Sequence, residues 1–440
     1  MNINKFIDYA KENGLSSVQV IVSKSSKLSI KIYHKEVEGY GVSDSQTLVA
    51  MGVYNGKCGA AITEKLDDSA FDFLVNAIKQ TATTNENTDF LDFYKGSEKY
   101  HKKNTYCKKL DEWPIENKIA TLKSIENKLF AYDKRISDVA EVGYSESSVS
   151  TEIFNSYGLK LKQKSNYFYI YGEVVAKSGE ETKTGSDLFI DCDPDKFNQD
   201  EFVKKVAEEA LAKFGGSPCT SGKYPTVIKN SVFASILDYF IGQLSAEEIE
   251  KHSSLVEGKL NTKIASNKLT IFEKPLEKNV FFSYFDDEGV AKTNKTIVNK
   301  GVLLTYLHNR RTAKKMGVET TANGAISGSK IGISYSNIYV KPGKLDFDRV
   351  ISGIKDGVYI TDIAGLGTGM NPRSGDFSCQ AEGFEIKDGK IGRPLSLITL
   401  SGNLMKMLND IKALDNRMEL QTDSMCVPDV HIKSMNIGGN

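Results

Sequence analysis

The chain carries no surplus of charge. Lys and Arg together number 57, and so do Asp and Glu, giving a formal net charge of zero. A protein built to grip nucleic acid shows a basic excess, so direct nucleic-acid contact is not expected. The basic run at 99–109 reads as a solvated loop. No stretch of eighteen apolar residues exists, which argues against a membrane span. The first fourteen residues, MNINKFIDYAKENG, lack the apolar core and small-residue cleavage site of a secretory leader. The six cysteines (Cys58, Cys107, Cys192, Cys219, Cys379 and Cys426) form no CxxC pair. That pattern reads as free thiols in a reducing compartment, and a cytoplasmic location is expected. None of the five histidines (His34, His101, His252, His308 and His431) is followed by Glu. A zinc peptidase needs His or Cys on the metal and a carboxylate to take a proton from bound water; the HExxH pattern that supplies these is missing. GxSxG and P-loop signatures are missing too.

What is present is pattern. A chain of 440 residues exceeds one ordinary core, so two domains are expected. Ile3, Phe6, Ile7 and Ala10 recur at helical spacing before Gly14. Residues 18–62 alternate apolar and polar, with a hairpin signal at Asn55-Gly56. Helices follow at 66–81, at 115–129 behind Pro114, and at 199–214 before Gly215-Gly216. Strands at 141–154 and 159–175 flank a turn at 155–158. No internal repeat stands out. The Ser-, Gly- and Pro-rich segment SPCTSGKYP places a boundary near 218, dividing the chain into residues 1–217 and 218–440. The first part is α+β, an antiparallel sheet with helices. The second opens with a helix through Val232, Ile236, Leu237, Phe240 and Ile241. Ser245-Ala-Glu-Glu248 resembles a capping box. Short glycine-broken strands (KLTIFE, NVFFSYF, TIVNKGVLLTYL, SNIYVKPG, GVYITDI, GFEIKDGKI, LSLITL) predict a sandwich or barrel-like sheet, and a last helix is expected at 403–413.

Few residues suggest chemistry. Glu248 and His252 are four apart and could share a helix face, but an ordinary exposed helix end is the plainer reading. Ser327 and Lys330 have SxxK spacing without the partner motifs of that enzyme class. Cys58 reads as a small buried apolar residue. The most unusual stretch runs from Asp362 to Gly383, DIAGLGTGMNPRSGDFSCQAEG. Its glycines either shape a loop needing positive φ or let a second backbone approach. Residue types alone leave both open.

In the second half, HSSLVEGKLNTKIASNKLTIFEKP, FDDEGVAKTNKTIVNKGVLLTYLHNRRTAKKMG and GLGTGMNPRSGDFSCQAEGFEIKDGKIGRPLSLITLSGNLMKML follow one another in order. These segments resemble the PmbA/TldE branch of the TldD/TldE family, also named for modulation of DNA gyrase. The resemblance implies an N-terminal α+β domain and a C-terminal domain on a strongly curved, barrel-like sheet. It implies a cytoplasmic two-subunit peptidase acting on unfolded or short peptides. In that family the TldD-like subunit carries His-Glu-x-x-x-His on a helix, with a distant Cys, around zinc. Here Leu237, Asp238 and Gly242 fall about where those residues would lie, and Cys426 sits near the C-terminus in a context closer to the metal-free branch. The expectation is a chain with no catalytic residue and no metal of its own, paired with a TldD-like zinc subunit or forming a homodimer when alone. Gly367, Gly369, Asn371, Arg373, Gly375 and Ser378 are candidates to line a peptide groove. The alternatives are an independent homodimeric hydrolase and a protein-binding modulator without activity.

Overall fold

The computed structural model describes residues 1–85, 90–327 and 330–440. The chain opens with helix α1 (Ile3–Glu12), whose Asn2 cap accepts the Lys5 N–H and whose Phe6, Ile7 and Ala10 are buried. Strands β1 (Ser17–Tyr33), β2 (Glu36–Tyr54) and β3 (Lys57–Thr63) follow as a meander, then helix α2 (Phe71–Thr84). The β2–β3 turn is the expected Asn55-Gly56 pair, with φ of 51° and 76°. After the single turn α3 (Lys108–Asp111) the order recurs: α4 (Ile115–Tyr132), β4 (Ile136–Asn155), β5 (Lys160–Ser178), β6 (Glu181–Asp191), α5 (Gln199–Ala212).

All six strands form one antiparallel sheet in the order β3-β2-β1-β4-β5-β6. The fold thus contains a repeat that the residues do not advertise. Two helix–three strands–helix units meet at the β1–β4 pair. What recurs is periodicity and one close approach, not residue identity. A Cβ at Gly59 of β3 would overlap the Ile78 carbonyl of α2, and a Cβ at Gly185 of β6 would overlap the backbone of α5 at Ala210.

Both faces of this sheet are apolar. Val18, Val20, Val22, Ile30 and Ile32 of β1 point one way, under the helices. Ile21 points the other way and packs with Ile153, Leu159 and Leu161 against Phe282, Tyr284 and Phe285 from the second half of the chain. Alternation along a strand produces this division.

In the second half, β7 (Gly222–Ile228), β14 (Asp356–Ala364), β15 (Asp376–Lys387), β16 (Lys390–Asn403) and β20 (Val430–Gly438) close into a barrel through the β16–β20 pairing, and β17 (Ile411–Leu414) extends it from β20. The architecture is α+β with a curved barrel-like second sheet, as the family resemblance implied; of the sandwich and barrel that the strand pattern allowed, the chain forms the barrel. A smaller sheet joins β8 (Ile271–Glu273), β9 (Lys295–Asn299), β10 (Val302–Leu303), β13 (Ile338–Val340), β18 (Glu419–Leu420) and β19 (Met425–Val427). A hairpin, β11 (Gly324–Ser327) and β12 (Lys330–Ile333), stands apart. Helix α6 (Asn230–Gln243) packs in the core between barrel and smaller sheet. The shorter helices are α7 (Ala246–Glu250), α8 (Arg310–Met316), α9 (Phe347–Ile351), α10 (Leu366–Gly369) and α11 (Leu404–Asn409). Among the described residues no helix is long and apolar enough to cross a membrane.

Three expectations differ from the fold. The helix expected at 403–413 stops at Asn409, because Ile411–Leu414 pairs with β20. NVFFSYF forms no strand; its aromatic residues are spent against the first sheet. Ser245 does begin α7, but its side chain makes no cap bond.

His431 of β20 is mostly buried, and burial, with Lys412 nearby, pushes its imidazole down to about 4. An unfolded imidazole titrates near 6.5. Between these values the unfolded chain binds a proton that the folded chain refuses, so stability rises with pH across the window and is lost as pH falls toward 4. His431→Asn should therefore lose less stability than the wild type between about pH 7 and about pH 4.5. Urea unfolding at the two pH values checks this; equal losses would contradict it.

Candidate functional site

Helix α6 is set by a polar network at its start. Buried Asp429 accepts the Asn230 N–H (2.8 Å), the Tyr359 hydroxyl (2.9 Å) and Arg417 Nη2 (3.0 Å). Asp415 accepts the Asp429 N–H (3.0 Å) and Arg417 Nε (2.9 Å). The network ties the helix to β14 and β20, the strands carrying Tyr359 and ending the barrel. Along the helix, Leu237 is fully buried and Gly242 faces open space. Asp238 accepts the Tyr335 hydroxyl, and burial, with Asp423 nearby, raises its carboxyl.

Cys426 does not join this group. Its neighbours Met425 and Val427 belong to the core that contains α6, whereas Cys426 is not part of it. Alternation along β19 therefore turns its thiol away, and burial pushes that thiol up to about 11. A tetrahedral zinc takes three or four nitrogen, sulfur or carboxylate donors. The α6 face offers Asp238 alone, already bonded to a hydroxyl, so these residues do not fit the metal. Among the described residues no three His, Cys, Asp or Glu side chains come together as a possible metal set.

The glycine-rich stretch lies beside the same helix. β14 ends at Ala364, Gly365 turns the chain at φ 77°, and α10 adds one turn. Asn371 then accepts the N–H groups of Arg373 (2.9 Å) and Ser374 (3.2 Å), folding the loop back into β15. Asn371, Arg373 and Ser378 are exposed. The glycines divide. A Cβ at Gly369 would overlap the Ser378 carbonyl, and Gly375 holds φ 75° against Leu255 and Asn403. Gly367 meets only the Tyr239 hydroxyl of α6, 3.9 Å from where its Cβ would be.

The other candidates are scattered. His252 is exposed and contacts Glu257 (2.7 Å), while Glu248 turns to Lys251 and Ser253. Ser327 and Lys330 face each other across the β11–β12 hairpin, and Gly328 and Ser329 between them lie outside the described residues. Burial pushes the Cys58 thiol up to about 12, which suits a packed residue and not a nucleophile.

A cavity of about 1020 Å³ opens between the two halves, over Met51, Cys58 and Ala60 of the first sheet and under Ile331 and Gly332 of β12. The acidic turn Asp286-Asp287-Glu288 sits at its edge. Asp286 accepts the N–H groups of Glu288 (3.1 Å), Val290 (2.9 Å) and Gly324 (2.9 Å). Asp287 accepts the Ile326 N–H (2.8 Å), and Glu288 accepts the Arg310 N–H at the start of α8 (2.8 Å). Burial raises all three carboxyls, and Glu288 adds to the rise at Asp286. In the sequence, three consecutive acids before a glycine and behind an aromatic run were the signal for this turn. The cavity itself has no local signal, since its lining comes from segments far apart in the chain, from Gln19 and Met51 to Glu288 and Ile331.

Comparison with known proteins places this geometry. The model of the PmbA/TldA metallopeptidase C-terminal domain matches residues 221–439, and that of the central domain matches 108–214. A metalloprotease PmbA homolog of Buchnera aphidicola is 26% identical over 436 residues, covering 95% of each chain. That of Haemophilus influenzae is 25% identical over 442 residues, covering 97% of this chain and 93% of its own. The crystal structure of TldE from Thermococcus kodakarensis shares the fold with a TM-score of 0.92 at 20% identity, over 99% of this chain and all of that one.

The glycines of the exposed loop give a paired test. Gly369→Val should destabilise the chain by about 1–3 kcal/mol, because the Ser378 carbonyl must move. Gly367→Val should unfold at the wild-type temperature. Thermal unfolding of both variants decides; two equal losses would show that the whole loop is architecture.

Proposed function

The chain belongs to the PmbA/TldE family of the TldD/TldE metalloprotease group, and from that membership we propose that it is the metal-free subunit of a cytoplasmic two-subunit peptidase. In this reading a TldD-like partner supplies the zinc and the chemistry, and the substrates are unfolded or short peptides. The observation that carries the reading is the face of α6. By the family resemblance, Leu237, Asp238 and Gly242 fall about where the catalytic branch would place its zinc helix residues. Leucine and glycine side chains offer no donor, and a single carboxylate does not hold zinc.

The exposed loop beside α6 then has a role for Gly367, Gly369, Asn371, Arg373, Gly375 and Ser378. An extended peptide, or the partner's chain, pairs along it backbone to backbone, which holds any sequence in extended form. Of the three glycines, Gly367 is the one that the chain's own packing does not require. If the loop serves a peptide, Gly367→Val keeps its fold and lowers turnover by the assembled enzyme; unchanged turnover removes the groove from the proposal.

The isolated chain, purified without added metal, should hold less than ~0.1 zinc per chain by elemental analysis. About one tightly bound zinc per chain would contradict the metal-free reading.

A further inference from the structure

The cavity between the two halves is built asymmetrically. One wall is apolar: Met51, Ala60 and Phe93 are buried there, and Phe90 packs beside them. The other wall carries Glu288, only 6% exposed. One of its oxygens accepts the Arg310 N–H, and among the described residues no lysine or arginine side chain lies within ion-pair distance of it. Lys330 also lines the cavity, while the two arginines near Glu288 are committed elsewhere. The Arg310 guanidinium donates to the Asp92 carbonyl (2.8 Å) and lies over the Tyr94 ring. Arg311 is held by Glu250 (2.8 Å) and Glu247 (3.5 Å). A carboxylate buried without a cation is costly, and it protonates or acquires a partner.

Gln19 of β1, directly opposite Met51 in the β1–β2 pair, adds an acceptor from the sheet side. It is 2% exposed, and its amide nitrogen donates to the Asp287 carbonyl (3.2 Å). That bond fixes which end of the amide is which, because a carbonyl demands a donor. Its amide oxygen receives no donor from the described residues. A buried acceptor left unmet costs about 1–3 kcal/mol. One unmet amide oxygen and one buried carboxylate outside any ion pair, both tied to the same acidic turn and set beside apolar side chains, suit one kind of ligand: a cationic hydrogen-bond donor joined to a hydrocarbon or aromatic group. A volume of about 1020 Å³ is at the upper end for a small-molecule site and holds a short peptide.

We propose that this cavity binds the free amino terminus of a short peptide whose first side chain is apolar, with the ammonium at Glu288 and Gln19 and the side chain against Met51, Phe90 and Phe93. The choice of a peptide over another apolar amine rests on the proposed function; the amine contact does not, and it needs no partner subunit.

The test is calorimetric titration of the full chain alone with the dipeptide leucyl-phenylalanine and with its N-acetylated form. The free dipeptide should bind, and acetylation should weaken binding by about tenfold or more, since it removes the charge. Glu288→Gln, which keeps an acceptor for the Arg310 N–H, should weaken the free dipeptide by a similar factor. Equal binding of the two dipeptides, or none by either up to about 10 mM, overturns the proposal. If the variant does not fold, the comparison of the two ligands on the wild-type chain still decides. Failure here leaves the subunit reading intact, and zinc in the isolated chain would overturn that reading without touching this one.

Discussion

A sheet that is apolar on both faces must be covered twice, or it exposes a surface that associates with itself. In this chain helices cover one face of the six-stranded sheet, and a loop from the second half covers part of the other. Phe282, Tyr284 and Phe285 enter as an irregular segment, each burying side chain worth about 1.5–3 kcal/mol. A buried loop must also find partners for its backbone. The first half supplies them: Gln163 donates to the Phe282 carbonyl (2.6 Å), Gln19 to Asp287 (3.2 Å) and the Tyr100 hydroxyl to Gly289 (2.6 Å). The two halves are joined by side chain to backbone bonds around an aromatic plug. Because the plug covers β1, β4 and β5 but not β2 and β3, a cavity remains over the latter, with the acidic turn at its edge.

The same economy governs α6. In the proposed reading, the corresponding helix of a zinc-bearing partner would bring metal donors together. Here the helix is buried on nearly every side, and its polar demands are met by Asp429 at the start and by Tyr335 at Asp238. A packed hydrophobic helix with satisfied ends holds the barrel against the smaller sheet. That is a structural role.

The first half was legible because its signals are local. The Asn55-Gly56 turn, the Pro114 helix start, and the alternation along β1 and β5 each depend on residues a few positions apart. The repeat within it leaves little trace in the residues, because its two copies share periods and a glycine at a helix contact, with little else in common. The second half resisted for the opposite reason. Ile411–Leu414 follows a helix without a break and becomes strand only because β20 is there to pair with it. The short strands of the smaller sheet are fixed by a buried pair, Glu273 and Lys295 (2.6 Å), and by Asn323 bonded to the same carboxylate (2.9 Å). Of the site candidates, the glycine-rich stretch was visible as composition, yet composition could not separate Gly369, needed by the chain's own packing, from Gly367, which is not.

A metal-free subunit should act only beside a zinc-bearing relative. The direct measurement is peptide turnover by a TldD-like subunit from the same organism, alone, with this chain, and by this chain alone. Turnover that requires both chains, with none from this chain by itself, is the predicted result. Peptide hydrolysis by this chain alone, at a rate comparable to the mixture, would contradict it.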